Sequence, residues 1–276
     1  KLGDALGPTQ TLYYPNLTPA LQPNAAVSVP QLSGAVGDTN GSFGAVANAL
    51  NNPDVQAQCT GISVAIVMDL SSSVNGDQRT AFRNAIVGSG GLFDSLMDKA
   101  SIAVFNFGTD SPASGNSNYP TPMALTSANR ATLESRVNTS SSGTQYTNWD
   151  KALRVVADAT ATNKYDIVLF VTDGAPNYIR SSGGVVGPNG TTVTVRSIEA
   201  AVYSANAIKA AGTKVIGVGV GNGVSGDVIR NLRFVSGPTV NDDYFQTASW
   251  AALNQELVNI ASSVTCQVPI KITKQV

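Results

Sequence analysis

Histidine is absent from this chain of 276 residues. That removes Ser-His-Asp and Cys-His nucleophilic machinery and imidazole-ligated zinc together. Cysteine is almost absent: Cys59 and Cys266 are the only two, too few for a thiolate metal site. Charge is sparse, with 17 basic against 18 acidic residues, and no run of Lys or Arg stands out. A phosphate backbone needs several cations, so nucleic acid is excluded as a natural partner. No apolar run reaches the roughly 18 to 20 residues that cross a bilayer. Nothing looks like a signal peptide, and a chain opening on Lys1 reads as processed, or excised from a longer precursor.

Ser, Thr, Asn and Gly are abundant. With so little charge, that composition reads as secreted or cell-surface. The cysteines stand at the two ends of the regularly patterned region. Two buried thiols are one reading. The preferred one is a Cys59–Cys266 disulfide, closing the domain where its chain enters and leaves and implying an oxidising compartment.

Residues 1–58 have prolines every few positions, which forbid long helices and central strands. They read as an extended arm, with short edge strands around Thr11 to Tyr14. Regularity begins after Cys59. "ISVAIVMD" (62–69), "ASIAVFNFG" (100–108), "YDIVLFVTDG" (165–174) and "TKVIGVGVG" (213–221) are apolar runs rich in β-branched residues. Several are apolar on both faces, as buried parallel strands are. Helical patterns lie between them at 76–97, 126–137, 148–160, 195–212 and 225–237. A short strand, "DYFQTAS", and a closing helix at 249–264 follow. The alternation predicts an α/β fold, a doubly wound, mostly parallel sheet flanked by helices, spanning 59–266 behind the extended N-terminal arm. Residues 267–276 read as a linker or the start of a following domain.

Ligands in such sheets bind beyond the carboxyl ends of the strands. There the stretch "AIVMDLSSSVNG" runs a core strand into Asp69, Ser71 and Ser73. "FVTDG" brings Thr172, Asp173 and Gly174 to the end of another strand, and "GTQYTNWDKAL" puts Thr147 in a loop before a helix. Asp69, Ser71, Ser73, Thr147 and Asp173 make two carboxylates and three hydroxyls. That is a hard, all-oxygen set suited to Mg²⁺, Mn²⁺ or Ca²⁺. Singly, each piece also suits an N-cap or a turn. Tyr146, Tyr178 and Asn177 flank these positions as a possible ligand-binding rim, and Trp149 reads as packing.

DLSSS, the Thr147 loop and VTDG, in that order, resemble the metal-ion-dependent adhesion site of von Willebrand factor type A domains. The resemblance covers about Cys59 to Cys266. It implies hydroxyl ligation by Ser71, Ser73 and Thr147. Asp69 and Asp173 would bind the ion directly or through water, and a partner carboxylate would complete the shell. The family's usual glycine is replaced by Ser72, with a small effect expected. The flanks resemble Gram-positive surface adhesins and pilus tip proteins. They imply a host matrix protein, a glycan or another surface protein as partner, within a longer multidomain chain.

Three other readings compete. A structural or assembly module would use the metal only to stabilise the fold. "GNGVSG" (221–226), with Asp242 and Asp243 beyond it, matches a dinucleotide fingerprint. Asp69 and Asp173 could also serve a metal-dependent hydrolase, although no Lys or Arg stands near either motif to hold a phosphate.

Overall fold

The computed structural model describes residues 49–140, 143–179, 193, 195–221, 223, 224 and 226–265. The expected edge strands at Thr11 to Tyr14, Cys266 and the tail 267–276 lie outside them.

Six strands form one sheet: β1 (Ile62–Asp69), β2 (Ala100–Phe107), β3 (Tyr119–Ala124), β4 (Ile167–Thr172), β5 (Lys214–Val220) and β6 (Tyr244–Thr247), in the order β3-β2-β1-β4-β5-β6. All pairings are parallel except β2 with β3. Alternate residues face opposite layers, as strand geometry requires. Val64, Ile66 and Met68 of β1 join the core under α1 (Gly76–Val87), α2 (Leu92–Leu96) and α7 (Leu253–Val264). Ala65 and Val67 join the core under α4 (Trp149–Ala159), α5 (Val195–Ala210) and α6 (Asp227–Val235). A short α3 (Arg130–Arg136) buries Leu133 in the first layer. On the second face a Cβ at Gly217 would stand 2.8 Å from Leu232 Cγ, so the glycine lets α6 lie close against β5.

Two local readings are corrected. The helix expected over 76–97 is two helices, because the chain between them contains Gly88, Gly90 and Gly91. The first helix ends at Val87, where Gly88 turns to extended backbone, and Gly90 at φ +70° makes the turn into the second, a conformation that costs little only for glycine. The strand β3 was not expected, since Pro120 and Pro122 lie in it. Both are tolerated because β3 is an antiparallel edge strand, where a missing N–H leaves no ladder bond unmade.

The end of the arm is fastened to the edge of the domain where the strands begin. Asn52 accepts from the Val215 N–H (2.8 Å) and donates to Val215 O (3.0 Å) and Asp243 Oδ1 (2.7 Å). Leu50 O accepts from buried Lys209 (2.8 Å), whose ammonium is pushed down to about 8 by desolvation. Gln58 bridges Thr265, so the residues next to the two cysteines are paired.

Candidate metal centre

β1 lies between β2 and β4: the chain runs from β1 outward to β2 and β3 on one side, then from β4 outward to β5 and β6 on the other. The crevice at the carboxyl ends of β1 and β4 is therefore the topological switch point. Asp69 ends β1, and Asp173 follows β4 directly.

Asp69 is fully buried and Ser71 is 1% exposed, while Ser73 stands at the surface. The Ser71 N–H donates to Asp69 Oδ1 at 2.9 Å, so the turn closes on its own carboxylate. Ser73 donates to Asp173 Oδ1 at 2.7 Å. The hydroxyls of Ser73 and Ser71 share a hydrogen bond of 2.9 Å, and the Ser71 side chain also bonds to Asp69. One chain of hydroxyls thus joins the ends of β1 and β4.

The other oxygen of Asp69 has partners that the spacing did not reveal. Thr172 Oγ1 donates to Asp69 Oδ2 at 2.6 Å and accepts from the buried indole N–H of Trp149 at 3.3 Å. Trp149 packs edge-on to Phe170. The packing role read for it holds, and it also orients Thr172. The signal was available: Thr172 precedes Asp173 at the end of a buried strand, where its side chain faces inward.

Burial pushes the Asp69 carboxyl up to about 7, and the charge of Asp173 adds to the rise. Burial also raises Asp173. No Lys or Arg pairs with either carboxylate among the described residues. Two acids joined through hydroxyls, with no compensating cation side chain, suit a divalent ion. Nor is there a group of three His, Cys, Asp or Glu among the described residues, so any ion there relies on hydroxyls.

Thr147 is 4% exposed. Its loop lies against both other loops: Gln145 bonds with Ser72, and Thr147 bonds with Asn177. Among the described residues no hydrogen bond joins its hydroxyl to the Asp69–Asp173 chain. Tyr146 and Tyr178, both half-buried, stack with ring centroids 5.4 Å apart and planes 13° apart. Asn177, expected at the same rim, commits its Oδ1 to the Thr147 N–H at 2.8 Å.

The dinucleotide reading does not survive the placement of its acids. Gly221 follows the carboxyl end of β5. Asp243 O accepts from the Gly217 N–H, and Asp242 pairs with Lys214 at the start of the strand. Asp242 thus stands at the far end of β5 from Gly221, and Asp243 beside the middle of the strand, not at the carboxyl end that the fingerprint requires.

The family model for the von Willebrand factor type A domain matches residues 63–259. No curated protein matches the chain. Among solved structures the chain is similar to the pilus adhesin SpaC from Lactobacillus rhamnosus GG, with 15% identity and a TM-score of 0.55, covering 76% of this chain and 31% of that one. It is similar to the vWF domain of the type V pili tip protein Mfa5 from Porphyromonas gingivalis, with 13% identity and a TM-score of 0.53, covering 79% and 99%. It is also similar to proximal thread matrix protein 1 from the mussel byssus, with 16% identity and a TM-score of 0.51, covering 75% and 47%. The chain thus spans about half of the mussel protein and about a third of SpaC. At these identities the likeness is one of fold.

Proposed function

The chain belongs to the von Willebrand factor type A domain family, and we propose that it is a non-catalytic adhesion module of a bacterial surface or pilus tip protein, binding its partner through a divalent cation. One observation carries the reading: a fully buried carboxylate, Asp69, shares a chain of hydroxyls with a second carboxylate, Asp173, with no basic side chain paired to either among the described residues. Such a pair costs stability when empty of a counter-charge. A hard cation such as Mg²⁺ would relieve it.

Asp69 and Asp173 would balance the charge of the ion, and Ser71, Ser73 and Thr147 would supply neutral oxygens. Thr172 and Trp149 hold Asp69 in place through the bonds described above. When bound, the cation offers a Lewis-acidic position to a carboxylate of the partner. Two of the similar folds are named as a pilus adhesin and a pilus tip protein, which supports the adhesive reading and a surface location. The Cys59–Cys266 disulfide belongs to the same proposal: no cysteine is free among the described residues, and the bridge between Gln58 and Thr265 supports it.

The test combines calorimetry with capture. Wild-type protein should bind Mg²⁺ and adhere to immobilised matrix proteins or glycans only while the ion is present. Asp69→Ala should stay folded and lose both. Mg²⁺ binding with no cation-dependent capture would leave an assembly module. Unchanged Mg²⁺ affinity in Asp69→Ala would refute the site.

A further inference from the structure

Gln145 to Asn148, the segment carrying Thr147, is neither helix nor strand until α4 begins, yet its four consecutive backbone N–H groups are all bonded. Gln145 donates to Ser72 Oγ at 2.8 Å, Tyr146 to Thr109 Oγ1 at 2.8 Å, Thr147 to Asn177 Oδ1 at 2.8 Å and Asn148 to Gly108 O at 3.1 Å. A buried loop must find acceptors somewhere. Here three of the four are side chains, each from a different loop: the turn after β1, the turn after β2 and the segment after Asp173.

The contacts are reciprocal at both flanks. The Ser72 N–H donates to Gln145 O at 2.9 Å. The N–H groups of Asn177 and Tyr178 donate to Thr147 O at 3.1 and 3.2 Å. The stacked rings of Tyr146 and Tyr178 close the same junction. From the third side, Asn148 Nδ2 donates to Thr109 O at 2.9 Å.

We infer that Ser72, Thr109 and Asn177, none of them a candidate ligand, are positioning residues that suspend the Thr147 segment between its three neighbouring loops and so fix where its hydroxyl stands in the metal site. The inference rests on the metal-binding reading above. It assigns a role to Ser72, where the family resemblance led us to expect glycine: its hydroxyl is one of the three supports, and glycine has no such oxygen. The Thr147 segment cannot move relative to Asp69 or Asp173 without parting these bonds. The three side-chain acceptors therefore tie the segment to the turn after β1, the turn after β2 and the segment after Asp173 at once.

Ser72→Ala, Thr109→Val and Asn177→Ala each remove one side-chain acceptor. In metal-free protein, amide hydrogen exchange should quicken by about tenfold at Gln145, Tyr146 and Thr147 respectively. Calorimetric titration with Mn²⁺ alone should show affinity falling about threefold to tenfold in each variant. Ser72→Thr, which keeps the hydroxyl, should retain the wild-type value. Because these residues act through Thr147, the losses should vanish in a Thr147→Ala background. Unchanged exchange, or losses of equal size with and without Thr147, would overturn the inference while leaving the metal site standing. Absence of Mn²⁺ binding in wild-type protein, or its persistence in Asp69→Ala, would overturn the metal reading and this inference with it.

Discussion

Replacing Asp69 by asparagine removes a buried charge while keeping nearly the same shape. The Asn Oδ1 can still accept from the Ser71 N–H. Its Nδ2 would face Thr172 Oγ1, which is free to turn its proton toward Gly174 O, 3.1 Å away. The folded-state carboxyl of Asp69 is raised from 3.8 to about 7. Between those values the folded protein holds a proton that the unfolded chain has released, so metal-free stability falls as pH rises through the window. Three pH units would be worth about 4 kcal/mol as an upper bound. Local relaxation and water penetration reduce this to about 1–2 kcal/mol, or ~2–8 °C in melting temperature for a domain of this size. In a chelator at about pH 8, Asp69→Asn should therefore melt higher than wild type. The gap should close as pH falls below 3.8, where Asp69 is protonated in both states. Mg²⁺ should raise the melting temperature of wild type only. A variant that melts lower than wild type at high pH without metal would refute the picture of a destabilising buried charge.

Three further outcomes follow from other parts of the structure. Thiol labelling of the denatured, unreduced chain should find neither Cys59 nor Cys266, and Cys266→Ser should lower stability by up to roughly 5 kcal/mol; two labelled thiols would contradict the disulfide. Asn52→Ala removes three hydrogen bonds at the opposite edge of the sheet and should cost about 2–3 kcal/mol by denaturant unfolding, with Mg²⁺ affinity unchanged. A Cβ at Gly108 would stand 2.6 Å from Gln145 Oε1, so Gly108→Ala should push on the Thr147 segment, weaken Mn²⁺ binding in calorimetry and destabilise by about 1–3 kcal/mol.

Strands buried on both faces announce themselves by composition, and β1, β2, β4 and β5 were legible for that reason. That Asp69, Ser71, Ser73 and Asp173 come together was legible because each sits at or just after a strand end, where this topology gathers ligands. β3 was hidden by Pro120 and Pro122, whose meaning depends on which strand is at an edge. The break near Gly90 was hidden because apolar spacing continues across it. The supporting roles of Ser72, Thr109 and Asn177 could not be read: Asn177 was expected only at the rim and Ser72 only as a substituted glycine. Their partners are 73, 37 and 30 positions away, and no local pattern records such pairings. Thr172 is an intermediate case: its place at the end of a buried strand was legible, but its partner Asp69, 103 positions away, was not.

The account stands most directly on one measurement: anomalous difference density from crystals soaked in Mn²⁺, inspected at the carboxyl ends of β1 and β4. The account predicts one strong peak within coordination reach of Asp69, Ser71, Ser73, Thr147 and Asp173, about 2.1–2.4 Å from its oxygens or one water removed. A saturated crystal with no peak there, or with its manganese bound elsewhere, would contradict it.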